Sequence, residues 1–226
     1  MFYKVQRQRK IWWMKFAANP GRFFISDLKT DSINDQAMQT VSVKSKFHFG
    51  NVELEKLELI PYGCFSPKLK FLDEIRKATS VTPSIIRSSM VLENGTLATL
   101  LDAVDTGVKS EINFHRRIAP YQCCIVTSVT DQGNLVELQD LARYITSLLR
   151  RSNISTLNAP KYLISEDGAL GVALEEMDNI GVPYGILLDE GSLKNGLLQL
   201  RNRDTTISET IHLSDVPDYL SKIFRS

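Results

Sequence analysis

No apolar run in this 226-residue sequence approaches the roughly twenty residues that a bilayer-spanning helix needs, so nothing in it reads as a membrane segment. Cysteine is scarce. Cys64, Cys123 and Cys124 show no CxxC spacing, which removes the usual zinc and dithiol patterns. Cys123 and Cys124 are neighbours on strand-like sequence, where successive side chains face opposite ways, so they are not expected to bridge. A reducing interior compartment fits this usage better than secretion. Glycine-rich phosphate loops are missing as well: after the apolar run ending at Val129 the chain reads Thr130-Asp131-Gln132-Gly133-Asn134, not GxGxxG, and no P-loop occurs. The three histidines, His48, His115 and His212, stand far apart without cysteine or carboxylate at ligand spacing. No Ser-His-Asp or Cys-His grouping assembles, so no catalytic residue, metal ligand or cofactor-binding residue is assigned.

Acidic residues are absent from the start of the chain. The first is Asp27, after Lys4, Arg7, Arg9, Lys10, Lys15 and Arg22. The net charge of +1 conceals a division: residues 1–117 carry 18 Lys+Arg against 12 Asp+Glu, giving +6, and residues 118–226 carry 9 against 14, giving −5. Either two surfaces with different partners or scattered solvated charge accounts for this. The basic start has the composition of a mitochondrial transit peptide, but Ile11-Trp12-Trp13-Met14-Lys15-Phe16 reads as strand with buried aromatics, and the structural reading is preferred. A chain that opens almost at once in strand-like sequence is also what an N-terminally incomplete protein would show.

What is present is an ordinary globular composition, 43% hydrophobic and 23% charged, long enough for one domain or two. Residues 1–16 read as strand, Asn19-Pro20-Gly21 as a turn, 23–25 as a short apolar stretch and 27–39 as loop. Alternation predicts strands over 41–49 and 52–60. Residues 61–70 read as loop, 71–78 as a short helix, 84–92 as strand, Asn94-Gly95 as a turn and 96–104 as a buried helix. A hinge over 108–117 leads to a second domain, 118–226. There the pattern predicts strand 122–129, helix 135–153, strand 154–157, helix 166–179, strand 184–189, a turn over 193–196, strands 197–203 and 206–213, and a last helix through Arg225 capped by Ser214. The order βαβαβββα is that of a compact α/β domain with a mixed sheet.

Arg201-Asn202-Arg203-Asp204-Thr205-Thr206 is the most specific local feature. Arg201 and Arg203 share a strand face, where two planar forks suit phosphate or an acidic partner; equally, one of them pairs with Asp204 or Glu209 across the hairpin. His212 ends a strand and is a partner-surface or structural candidate. Arg116, Arg117, Arg150 and Arg151 are candidate phosphate contacts, with solvated surface as the alternative. The paired acids Glu175-Glu176 and Asp189-Glu190 read as solvated faces.

Ile118-Ala119-Pro120-Tyr121-Gln122, Gly181-Val182-Pro183-Tyr184, Asn195-Gly196 and Arg201 to Thr205 resemble the anticodon-binding domain of class II aminoacyl-tRNA synthetases of the glycyl, histidyl, threonyl and prolyl type. Gly196 to Thr206, followed by Glu209 to Asp215, is similar to the accessory (beta) subunits of mitochondrial DNA polymerase gamma, most like the insect branch, and Lys10 to Pro20 resembles their degenerate synthetase-like core. The resemblance implies an α/β fold: a class II core remnant with an antiparallel sheet in 1–117, then an anticodon-binding-like domain in 118–226 with a five-stranded mixed sheet and three helices. It implies a mitochondrial (matrix, nucleoid) processivity factor without enzymatic activity, partnered by the catalytic polymerase subunit and primer-template or double-stranded DNA. No membrane partner is implied. The synthetase ATP-binding strand ends in arginine, whereas the matching stretch here, Glu93 to Leu101, has none, which argues against aminoacylation. The helical insert through which vertebrate members dimerise is not visible, so a one-to-one complex is expected over a homodimer. The alternative is the C-terminal fragment of a class II synthetase that binds a tRNA anticodon. The acidic second half suits a basic protein partner, and the basic first half suits DNA.

Overall fold

The computed structural model describes residues 1–33, 36–61, 71–72, 80–81, 83–105, 112–157, 163–164 and 169–225, which form two compact units, Met1–Asp102 and Ala103–Ser226.

The first unit opens with helix α1 (Phe2–Lys15), where the aromatic run reads as strand in sequence. Glutamine, arginine and lysine favour a helix. Phe2, Gln6 and Trp13 are buried, and their spacing returns them to one helical face. Strands β1 (Phe23–Ile25) and β2 (Lys29–Ile33) follow, then β3 (Gln36–Phe47) and β4 (Gly50–Ile60). The stretch expected as loop therefore holds β2 and the start of β3. Both β1 and β2 pair antiparallel with one edge of β3, and β4 takes the other. A register shift sets Val43 opposite Glu55 and Lys44 opposite Glu53, leaving Leu54 as a bulge residue. The bulge lets Leu54 and Glu55 both turn inward.

Strands β5 (Phe71–Leu72) and β6 (Ser80–Val81) form a separate antiparallel pair, so the start of the expected 71–78 helix is strand, and the remainder of that segment lies outside the described residues. Most of the expected 61–70 loop lies outside them too. The antiparallel sheet ends at β7 (Ile85–Met90), which pairs with β4. Helix α2 (Leu92–Asp105) absorbs the expected Asn94-Gly95 turn and contains the Glu93–Leu101 stretch matched above to a synthetase strand. Gly95 serves close approach instead of turning: an added Cβ would stand 3.2 Å from the Trp13 ring. Trp13, Phe23, Val43, Phe47, Leu54 and Ala98 make the core beneath these helices.

Buried acids bind this unit together. Glu55 accepts from Arg9 Nε at 2.7 Å, Trp13 Nε1 at 2.9 Å and Ser88 Oγ at 2.5 Å. Burial pushes its pKa up, but the Arg9, Ser88 and Trp13 bonds outweigh that and hold it below the ordinary carboxylate value. Asp102 pairs with Arg22 at 2.6 Å and accepts from the Ala18 amide.

The second unit is built on β8 (Cys123–Ser128), β9 (Thr156–Leu157), β10 (Leu163–Ile164), β11 (Tyr184–Leu188), β12 (Leu197–Asn202) and β13 (Ser208–His212). The sheet order is β10-β8-β11-β12-β13, parallel between β8, β10 and β11 and antiparallel beyond. β9 pairs with Cys123–Cys124 and β10 with Thr127–Ser128, both on the edge of β8 that β11 leaves open. Six strands thus occupy five positions, the five-stranded mixed sheet of the sequence reading with one edge strand broken in two.

Helices α3 (Leu135–Arg151) and α6 (Val216–Arg225) bury Leu138, Ile145, Leu149, Leu220 and Phe224 on one sheet face, and α4 (Ala169–Asn179) covers the other with Ala173 and Met177. Cys123 and Cys124 fall into these two separate cores, which confirms their opposite facing; burial raises both thiol pKa values, that of Cys124 to about 12. A short helix, α5 (Glu190–Asn195), occupies the expected turn. Asp189 and Ser192 close a capping box at its start, so the Asp189-Glu190 pair is structural and not merely solvated.

Candidate functional site

Arg203 lies just beyond β12 and is only 7% exposed. Its guanidinium donates to the carbonyls of Ile112 (3.2 Å), Gly181 (3.1 Å) and Phe114 (3.0 Å), to Asn113 Oδ1 (2.8 Å) and to Asp204 Oδ1 (2.7 Å). A planar fork can satisfy carbonyls on two separate segments at once, which an ammonium cannot do in this geometry. The result is a clasp that ties residues 112–114 to the turn after α4. Gly181 sits there at φ 81°, and a Cβ on it would stand 2.7 Å from the Phe114 ring. The described part of the expected hinge, 112–117, is therefore bound into the second unit. Residues 108–111 of that hinge lie outside the described residues.

Arg201 shares that sheet face, as the strand period requires, and forms a bidentate pair with Asp178 at 2.9 and 2.8 Å. Each side chain of the pair is 11% exposed. Both arginines, for which an anchoring and a pairing role were equally open, are thus turned inward. Asp204 is indeed one partner, but Arg201 meets Asp178 on α4, a pairing across elements that local sequence cannot display. Glu209 instead accepts from the Tyr219 hydroxyl at 2.5 Å. His212 remains exposed at the end of edge strand β13, with Nδ1 2.8 Å from Ser214 Oγ.

The four arginines named as phosphate candidates gather at one end of the unit. Arg116 and Arg117 occupy the turn before β8, and Arg150 and Arg151 form the last turn of α3. Gln122 joins the two segments: it donates to the Arg116 carbonyl and exchanges bonds with Ser155, while Arg150 Nη2 donates to the Thr156 carbonyl at 3.1 Å. Lys222 and Arg225 end α6, whose Phe224 packs edge-on against Tyr184 at the start of β11. This end is therefore cationic within a unit of negative net charge.

The opposite end is acidic. Glu190 accepts from the Thr130 and Asp131 amides at 2.6 and 3.0 Å, and these bonds hold its pKa down at about 2. A cleft of about 360 Å³ opens nearby, lined by Ser128, Leu187, Asp189, Gln199 and Thr210 among others. The Asp189 carboxylate is engaged at the α5 cap. Among the described residues no group of three His, Cys, Asp or Glu side chains is placed to hold a metal ion.

The family model of the anticodon binding domain matches residues 122–223, the segment that spans this whole sheet. The second unit thus matches the anticodon binding domain in sequence along most of its length. Over its entire length the chain is 37% identical to the mitochondrial DNA polymerase subunit gamma-2 of Drosophila melanogaster, spanning 63% of that protein. It is 31% identical to the corresponding Xenopus laevis subunit over 95% of this chain and 47% of the relative. From end to end the chain resembles the gamma-2 subunit of DNA polymerase. A more distant likeness, 28% identity over 85% of the chain, joins it to the glycine–tRNA ligase of Borrelia hermsii, of which it spans 44%. The likeness to gamma-2 subunits covers the antiparallel unit as well as the anticodon-binding domain, so both stages of the sequence resemblance stand.

Proposed function

We propose that this protein is a non-catalytic accessory subunit of the mitochondrial DNA polymerase, which binds the catalytic subunit and supports its hold on primer-template DNA. The observation that carries this reading is the likeness to gamma-2 subunits, which runs through both units and not the anticodon-binding domain alone. Electrostatics favour a division of labour. Residues 118–226 carry −5, unsuited to reading a polyanion over a broad surface, and residues 1–117 carry +6. The acidic unit, with His212 on its open edge strand, is the side offered to the catalytic subunit. Arg116, Arg117, Arg150 and Arg151 give it one local place where phosphate is tolerated. The boundary between the functional halves is taken at the division of the fold, Asp102/Ala103, with residues 112–117 on the side of the second unit, and the assembly as one copy per catalytic subunit.

Capture of the catalytic subunit by the immobilised chain, with and without primed DNA, tests the proposal; absence of capture in both conditions refutes it. The glycine–tRNA ligase likeness supports a second reading, an enzyme fragment that binds tRNA. A gel shift comparing tRNA with primed duplex separates the two, since the fragment reading requires preference for tRNA.

A further inference from the structure

We propose that the outer face of α1 is a phosphate-backbone surface for duplex DNA. The choice of duplex rests on the polymerase reading; the surface itself rests on the helix. Phe2, Gln6 and Trp13 point into the first unit, and Arg9 on the same side is bound to Glu55. At 100° per residue the opposite side is occupied by Lys4, Arg7, Ile11 and Lys15, all exposed, with Lys10 on the flank.

The helix holds no acid. Among the described residues no ion pair engages Lys4, Arg7, Lys10 or Lys15. The buried acids of the unit are already matched elsewhere: Glu55 by Arg9, Glu58 by Lys56 and Arg87, Asp102 by Arg22. The basic residues of α1 other than Arg9 are thus not drawn into those buried pairs. Lys4 and Lys15 lie about 16 Å apart along the axis, a length over which duplex DNA carries about nine phosphates. A bilayer surface is the weaker partner, because the broad apolar side of α1 is already committed to the unit's core and only Ile11, Tyr3 and Trp12 interrupt the basic face.

The test compares the native chain with the variant Lys4→Gln/Arg7→Gln/Lys15→Gln in fluorescence anisotropy with a labelled mixed-sequence duplex across a salt series. Loss of three phosphate contacts makes the slope of log K against log salt shallower by about 2 to 3, and weakens low-salt binding by about tenfold or more. An unaltered circular dichroism melt establishes that the variant is folded. An unchanged slope in the α1 variant overturns the proposal, as does a native chain without measurable duplex affinity or with anionic vesicles bound in preference to DNA. Capture of the catalytic subunit is measured separately and bears on the polymerase reading alone, so the failure of one is distinguishable from the failure of the other.

Discussion

Replacing Arg203 with alanine separates a fold-holding residue from a partner-binding one. The substitution strips hydrogen-bond partners from the carbonyls of Ile112, Phe114 and Gly181 and from Asn113, and leaves Asp204 without its ion pair. An unsatisfied buried acceptor costs about 1–3 kcal/mol, and three of them, partly rehydrated in the space that the side chain vacates, amount to about 3–4 kcal/mol. For a unit of this size that lowers the melting temperature by about 10–15 °C. Lysine restores the charge but not the fork, so Arg203→Lys recovers less than half of the loss. Differential scanning calorimetry supplies the stability, and titration of the catalytic subunit at a temperature where both proteins are folded supplies the affinity. If Arg203→Ala melts like the native chain yet binds the catalytic subunit more weakly, Arg203 is a docking residue and the clasp account is wrong.

Gly181→Ala places a Cβ against Phe114 at a left-handed backbone position and is expected to destabilise the second unit by about 1–3 kcal/mol, read by urea denaturation; a neutral result means that the 112–114 segment is not held against Gly181. Glu55→Gln leaves Arg9 without its charged partner, and the first unit should lose about 3 kcal/mol, checked by hydrogen exchange at the α1 amides. Because the folded pKa of Glu190 is held at about 2, below its ordinary value of 4.5, its contribution is complete above pH 4.5 and is lost as pH falls through about 2. Acid unfolding of Glu190→Gln should accordingly show a shallower limb in that window, and identical limbs would exclude the carboxylate as a cap for the Thr130 and Asp131 amides.

Periodicity made most of the second unit legible. Leu138, Ala142, Ile145 and Leu149 repeat at helical spacing, and the apolar run at Cys123–Val126 has room for nothing but a buried strand. The first unit resisted the same reading for identifiable reasons. The aromatics of α1 have strand propensity, but only its 2, 6 and 13 positions are fully buried, a pattern diluted by the exposed Ile11 and Trp12. Gly95 looked like a turn because close approach to Trp13 is a tertiary demand that leaves no local mark. The bulge at Leu54 buries two successive residues, one of them Glu55, against the alternation that identifies a strand. In the candidate site, the shared face of Arg201 and Arg203 was readable from the strand period. Their direction was not, because Asp178 and the 112–114 carbonyls come from segments far away in the chain.

The most direct measurement of the central claim is the product length made by the catalytic subunit on a singly primed single-stranded template, with and without this protein. An accessory subunit synthesises nothing alone and lengthens the products of its partner, with the gain persisting at salt concentrations that weaken the partner's own grip on DNA. An unchanged product-length distribution, at protein concentrations that saturate any binding, contradicts the account.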